Sequence, residues 1–183
     1  MKKIFNNLYI DTFESLDSSI EAELSDFYKN DIKYVINLTE CSQLTHMHRI
    51  SFVCNKIKAL DLFKNSELQR IKKIAPKDRT DSEVKSRFIL RDSIILKNRE
   101  FLLKLGKTRD NILFVCNRNN VLSPLFVFII MKLQGFENYI ENMMRDKTLV
   151  TSHQNKCDIE KYLDKYISII YNSNNEVSKQ ATQ

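Results

Sequence analysis

The sequence predicts an α/β domain, with a mostly parallel central sheet and helices on both faces. Three observations predict it. Lys33-Tyr-Val-Ile-Asn-Leu-Thr39 and Asn111-Ile-Leu-Phe-Val115 are short, continuous apolar runs of the kind that form strands buried on both faces. Stretches with apolar residues at helical spacing alternate with such strands, the signature of parallel pairing. Only two glycines and two prolines occur in 183 residues. Asn, Asp and Ser must therefore make the turns, which disfavours a many-turned sandwich. The length suits one domain with a substantial core.

In chain order, residues 4–10 read as a first strand. Leu16 to Tyr28 has apolar residues at 16, 20, 24, 27 and 28, with Ser and Asp before them as caps, and reads as a helix. The strand at 33–39 follows, then a polar loop over 40–49 and a strand within 50–62. Glu67 to Ile74 reads as a short helix ending before Pro76, and 77–82 as a charged turn. Glu83 to Leu105 is helical, apolar at 84, 88, 89, 95, 102 and 105, with a break near Arg91–Ser93. Those apolar positions read as core, with a partner or dimer face as the alternative. Gly106 reads as the helix stop. After the strand at 111–115, Ser123 to Leu133 is so apolar that the helix must lie centrally, with Phe126, Phe128 and Met131 in the core. Gly135 ends it. Helices are expected near 136–146 and 155–171. The polar tail 172–183 is expected to be disordered. No internal repeat is present.

A net charge of +6 and a pI near 9.1 permit anion binding. The basic residues are interleaved with acidic ones, so they read as a solvated surface, and nucleic acid is not an expected partner. The opening residues do not resemble a signal peptide. The longest apolar run, Leu125 to Met131, falls far short of the ~20 residues of a membrane span. Cys41, Cys54, Cys116 and Cys157 show no CxxC pairing, which argues against a zinc site and a disulfide framework. His46 and His48, with Arg49, read as loop residues, and His153 stands alone. No metal or other cofactor is expected, and the location implied is cytoplasmic, intracellular and reducing.

The chemistry concentrates after the strand at 111–115. Strand, Cys116, polar turn, Ser123-Pro124 and buried helix is the order a cysteine phosphatase requires. Backbone N–H groups of a loop closing onto a helix N-terminus hold phosphate, and the same field favours a thiolate nucleophile. Val115-Cys116-Asn117-Arg118-Asn119-Asn120-Val121-Leu122-Ser123-Pro124 resembles the signature His-Cys-x-x-Gly-x-x-Arg-Ser of the dual-specificity phosphatases, within the protein-tyrosine-phosphatase superfamily. Asn7-Leu-Tyr-Ile10 is similar to that family's opening strand. Ile32-Lys-Tyr-Val-Ile-Asn-Leu-Thr39 is similar to the strand that follows its first helix, and Ile57-Lys-Ala-Leu-Asp61 resembles the strand that delivers its general acid. Residues 125–170 follow its helical C-terminal half.

The resemblance implies a three-layer α/β/α cysteine-phosphatase fold over 1–171. It implies Cys116 as nucleophile, Ser123 as the hydroxyl beside it, and Asn117, Arg118, Asn119, Asn120, Val121 and Leu122 as the phosphate loop. Asp61 takes the general-acid position, with Asp78 and Asp81 as competitors. Asp61 lies 55 residues before Cys116, a longer interval than the family's, which implies an inserted helical segment at about 64–106.

Three positions depart from the signature. Val115 replaces histidine, Asn119 glycine and Leu122 the phosphate-clamping arginine. Arginine gives phosphate two parallel charged hydrogen bonds, and leucine gives none. Loss of one oxyanion donor already lowers rates by about 10²–10³. The expectation is therefore a pseudophosphatase, not an efficient hydrolase. It would act as a regulator that binds a protein, phosphorylated or not. The alternatives are an active cysteine-dependent phosphatase in which Arg118 supplies the cation, and a non-catalytic structural homodimer.

Overall fold

The computed structural model describes residues 1–12, 20–40, 56–117 and 121–172, with 20–24 described by backbone alone. Over these residues the chain is an α/β protein with a five-stranded, mostly parallel mixed sheet and helices packed against it. The strands are β1 (Lys2–Phe5), β2 (Leu8–Thr12), β3 (Ile32–Asn37), β4 (Lys58–Asp61) and β5 (Asn111–Cys116). The helices are α1 (Ile20–Lys29), α2 (Ser66–Lys73), α3 (Asp81–Lys97), α4 (Arg99–Lys107), α5 (Leu122–Leu133), α6 (Glu137–Met144) and α7 (His153–Tyr171). The sheet order is β1-β2-β5-β3-β4, antiparallel only between β1 and β2.

The expected first strand over 4–10 is in fact a hairpin. Asn6 has φ +37°, a left-handed conformation that asparagine tolerates better than most residues, and the chain reverses there so that Phe5 faces Leu8. β2 then runs parallel to β5.

The central strand β5 shows why the run at 111–115 had to be continuously apolar. Ile112, Phe114 and Cys116 enter the larger core cluster, with Phe126 and Phe128 of α5. Leu113 and Val115 point the other way, into a smaller cluster with Tyr9, Ile32, Val35, Ile57 and Phe27 of α1. Alternate side chains of one strand thus meet two apolar environments. Helix α5 is the next element, and Ser123 through Met131 are all buried. It ends as expected at Gly135, at φ +81°. There the Gly135 N–H donates to Lys132 O and the Phe136 N–H to Met131 O, a Schellman closure.

The helical stretch between the strands departs from expectation in three ways. Its break lies at Asn98, not near Arg91–Ser93. The Asn98 side-chain amide donates to Ile94 O at 2.8 Å, ending α3 one residue before α4 begins. Second, only Ile95 of α3 is fully buried, while Val84 and Ile89 are exposed. Helix α3 is instead fixed by a capping box between Thr80 and Glu83, by Phe88 stacked on Tyr162, and by an ion pair from Lys165 to Asp92.

Third, Gly106 is not a stop. It lies inside α4, buried against α5, where a Cβ would stand 2.5 Å from Leu133 Cβ. The glycine is required by this close approach rather than by backbone conformation. Gly106→Ala is expected to lower stability by about 1–3 kcal/mol, the usual range for overpacking. Urea denaturation with an unchanged m-value would measure it, and a stable Gly106→Ala would mean that α4 can move away from α5.

No helix of the described residues is long and apolar enough to cross a membrane.

Candidate functional site

The candidate site lies at the carboxyl end of the parallel strands, where open α/β sheets place ligands. Strand β5 delivers Cys116, which is 3% exposed. Ser123, in the first turn of α5 and fully buried, donates its hydroxyl to Cys116 Sγ at 2.9 Å.

On the neighbouring strand, Asn37 is 1% exposed and organises the chain beyond β3. Its side-chain amide donates to Asp61 Oδ1 at 3.0 Å, and its carbonyl oxygen accepts the Thr39 N–H at 2.9 Å. The Leu38 N–H donates to Val115 O. These bonds carry Leu38, Thr39 and Glu40 across the end of β5.

There they meet a cavity of about 430 Å³, lined by Leu38, Thr39, Glu40, Cys116, Asn117 and Leu122. Three cations complete the lining: Lys72 of α2, with Arg87 and Arg91 of α3. Arg87 and Arg91 are four residues apart and so share one helix face. Both converge on Glu40, whose side chain is only 2% exposed. Arg87 donates Nε and Nη2 to Glu40 Oε2, and Arg91 donates Nε to Oε1. Burial alone would push the Glu40 carboxyl up. The charge of Arg91 and the hydrogen bonds and charge of Arg87 outweigh it, and hold the group below its ordinary value. Arg91 also lies over the Phe63 ring, 5.9 Å from its centre.

A second cavity of about 320 Å³ adjoins the first and shares Arg87, Arg91 and Leu122 with it. Phe88, Tyr162 and Tyr166 give it an aromatic lining, joined by the Asp158 carboxylate. Burial raises the Tyr166 phenol well above its usual range.

The structure brings Cys116, Asn117, Leu122 and Ser123 together, and places Val121 on the adjoining cavity. Arg118, Asn119 and Asn120, like His46, His48, Arg49, Cys41 and Cys54, lie outside the described residues. Asp61 ends β4, two strands from β5. It is half-buried and bonded to Asn37, and it is not among the residues lining the Cys116 cavity. Asp78 and Asp81 are exposed and do not line it either.

Thr39, Glu40, Lys72, Arg87 and Arg91 were not legible as site residues. The spacing of Arg87 and Arg91 was the one available signal. Glu40 gave none, being an acidic residue at the head of a polar loop.

Comparison of the chain with protein-family models, with curated proteins and with solved structures finds no match.

Proposed function

We propose that this chain is a pseudophosphatase, a protein with the three-layer dual-specificity-phosphatase architecture retained for binding. It would regulate a protein partner, phosphorylated or not, by holding it over the Cys116 cavity. The observation that carries the reading is Leu122. It lines the cavity beside Cys116 and Ser123, at the position where the signature requires arginine. A leucine there offers no charged hydrogen bond to a transferring phosphoryl group, so the step that needs most electrostatic help lacks its donor.

The test is hydrolysis of p-nitrophenyl phosphate by the full chain. Turnover should be indistinguishable from that of Cys116→Ser. Asn119→Gly with Leu122→Arg should then raise it measurably, and Asn119→Gly with Leu122→Ala should not. Robust wild-type turnover that disappears in Cys116→Ser overturns the proposal.

One observation favours the active alternative. Arg87, Arg91 and Lys72 line the same cavity as the Cys116 sulfur. If they replace the loop arginine, the same assay gives Cys116-dependent turnover that falls in Arg91→Gln.

A further inference from the structure

The cations of the Cys116 cavity outnumber their described partner. Lys72, Arg87 and Arg91 face one carboxylate, Glu40, and the Lys72 ammonium makes no ion pair among the described residues. Glu40 takes three of the ten N–H donors that the two guanidiniums offer. It is also more buried than either arginine, at 2% side-chain exposure against 20% for Arg87 and 12% for Arg91.

A second, independent observation comes from Thr39. The residue is 7% exposed and lines the cavity, yet its Oγ1 is buried without a hydrogen-bond partner among the described residues. A buried hydroxyl left unmatched is costly, so such groups are normally satisfied by protein, water or ligand. Three cations against Glu40 leave positive charge in excess even when Asp158 of the adjoining cavity is counted, and an anionic ligand neutralises it.

We propose that this cavity is a binding site for a phosphate-class dianion, with its cations supplied by Lys72 of α2 and by Arg87 and Arg91 of α3. The Thr39 hydroxyl serves as a further donor. Glu40 is a positioning residue: from beneath, it locks the two guanidiniums in register and leaves their remaining N–H groups for the ligand. The adjoining aromatic cavity, which shares both arginines, receives the organic group when the ligand is a phosphate ester. The inference rests on the reading of the Cys116 cavity as the functional site. It differs in assigning anion recognition to helices outside the strand–loop–helix segment.

The experiment is calorimetric titration of the full chain with inorganic phosphate and, separately, with phenyl phosphate at fixed ionic strength. Saturable binding at one site is expected. Lys72→Glu should weaken it about tenfold or more, since a cation facing a dianion becomes an anion. Lys72 is exposed, so this variant folds. Thr39→Val, nearly isosteric, should weaken binding about fivefold, the worth of one hydrogen bond. Arg91→Gln should also weaken it. Tighter binding of phenyl phosphate marks an ester as the ligand, and equal binding marks the free anion; both support the site.

No saturation, or binding indifferent to Lys72→Glu and Thr39→Val, overturns the inference and leaves the pseudophosphatase reading standing. Cys116-dependent turnover together with the expected losses overturns that reading instead, and leaves this site standing.

Discussion

Replacing Glu40 with alanine is expected to destabilise the protein by about 3–5 kcal/mol, the range for removing one member of a buried ion pair. For a chain of this size that corresponds to about 6–20 °C in Tm. The cause is not a lost attraction alone. Two largely buried guanidiniums four residues apart would be left facing each other without the carboxylate that separates them. Glu40→Gln should cost less, because the amide oxygen still accepts from one arginine.

The same group fixes a pH dependence. Burial raises the Glu40 carboxyl, but Arg91 and Arg87 outweigh it, so in the folded chain it titrates below its ordinary, unfolded value. Its contribution is therefore fully present above that value and fades as pH falls through the lower, folded value. Glu40→Ala should flatten this acid limb of the stability curve. Thermal melts of both variants between pH 3 and 7 measure both effects. An Ala variant within 1 kcal/mol of the parent, as an order of magnitude for an exposed pair, would mean that the Arg87–Glu40–Arg91 cluster does not form in solution.

Placing histidine at position 115 is the second large effect. In the signature this residue precedes the cysteine, yet here Val115 is 0% exposed and packs among Tyr9, Phe27, Val35 and Leu113. An imidazole placed there finds no described hydrogen-bond partner in an apolar cluster, which costs roughly 2–7 kcal/mol depending on relaxation. Val115→His is expected to lose about 3 kcal/mol at pH 8. The loss should grow below ~6.5, because the unfolded chain takes up a proton that the buried ring refuses. Equilibrium unfolding at pH 8 and pH 5.5 tests this. A Val115→His protein as stable as its parent at both values would show that the cluster admits water or a polar partner. The rebuilding of the loop proposed above accordingly leaves Val115 in place.

Most of the framework could be read from the chain because local pattern and burial agree there. β3 and β5 are apolar on both sides because each side meets a core cluster, and α5 is apolar all round because it sits among other elements. The reading of 4–10 as one strand passed over Asn6-Asn7, a turn signal that separates Ile4-Phe5 from Leu8-Tyr9-Ile10. Gly106 was misread because a glycine near a helix end serves equally as a cap or as a contact surface, and only the position of Leu133 distinguishes them. The break at Asn98 depended on one side chain bonding back to Ile94.

The site was half legible for a similar reason. Cys116 and Ser123 are seven residues apart and sit on consecutive elements, β5 and α5. Thr39, Glu40, Lys72, Arg87 and Arg91 come from three other segments, and their meeting is a property of the sheet order rather than of any spacing.

Because the cavity takes its positive charge from α2 and α3 and its sulfur from β5, the two can diverge separately. Drift in residues 116–123 could erase every trace of a nucleophile and leave the electrostatic trap intact. Drift along 66–97 could discharge the trap while the sulfur keeps its bond to Ser123. Sulfur and positive charge can therefore be altered one at a time, each leaving the other's half of the cavity in place.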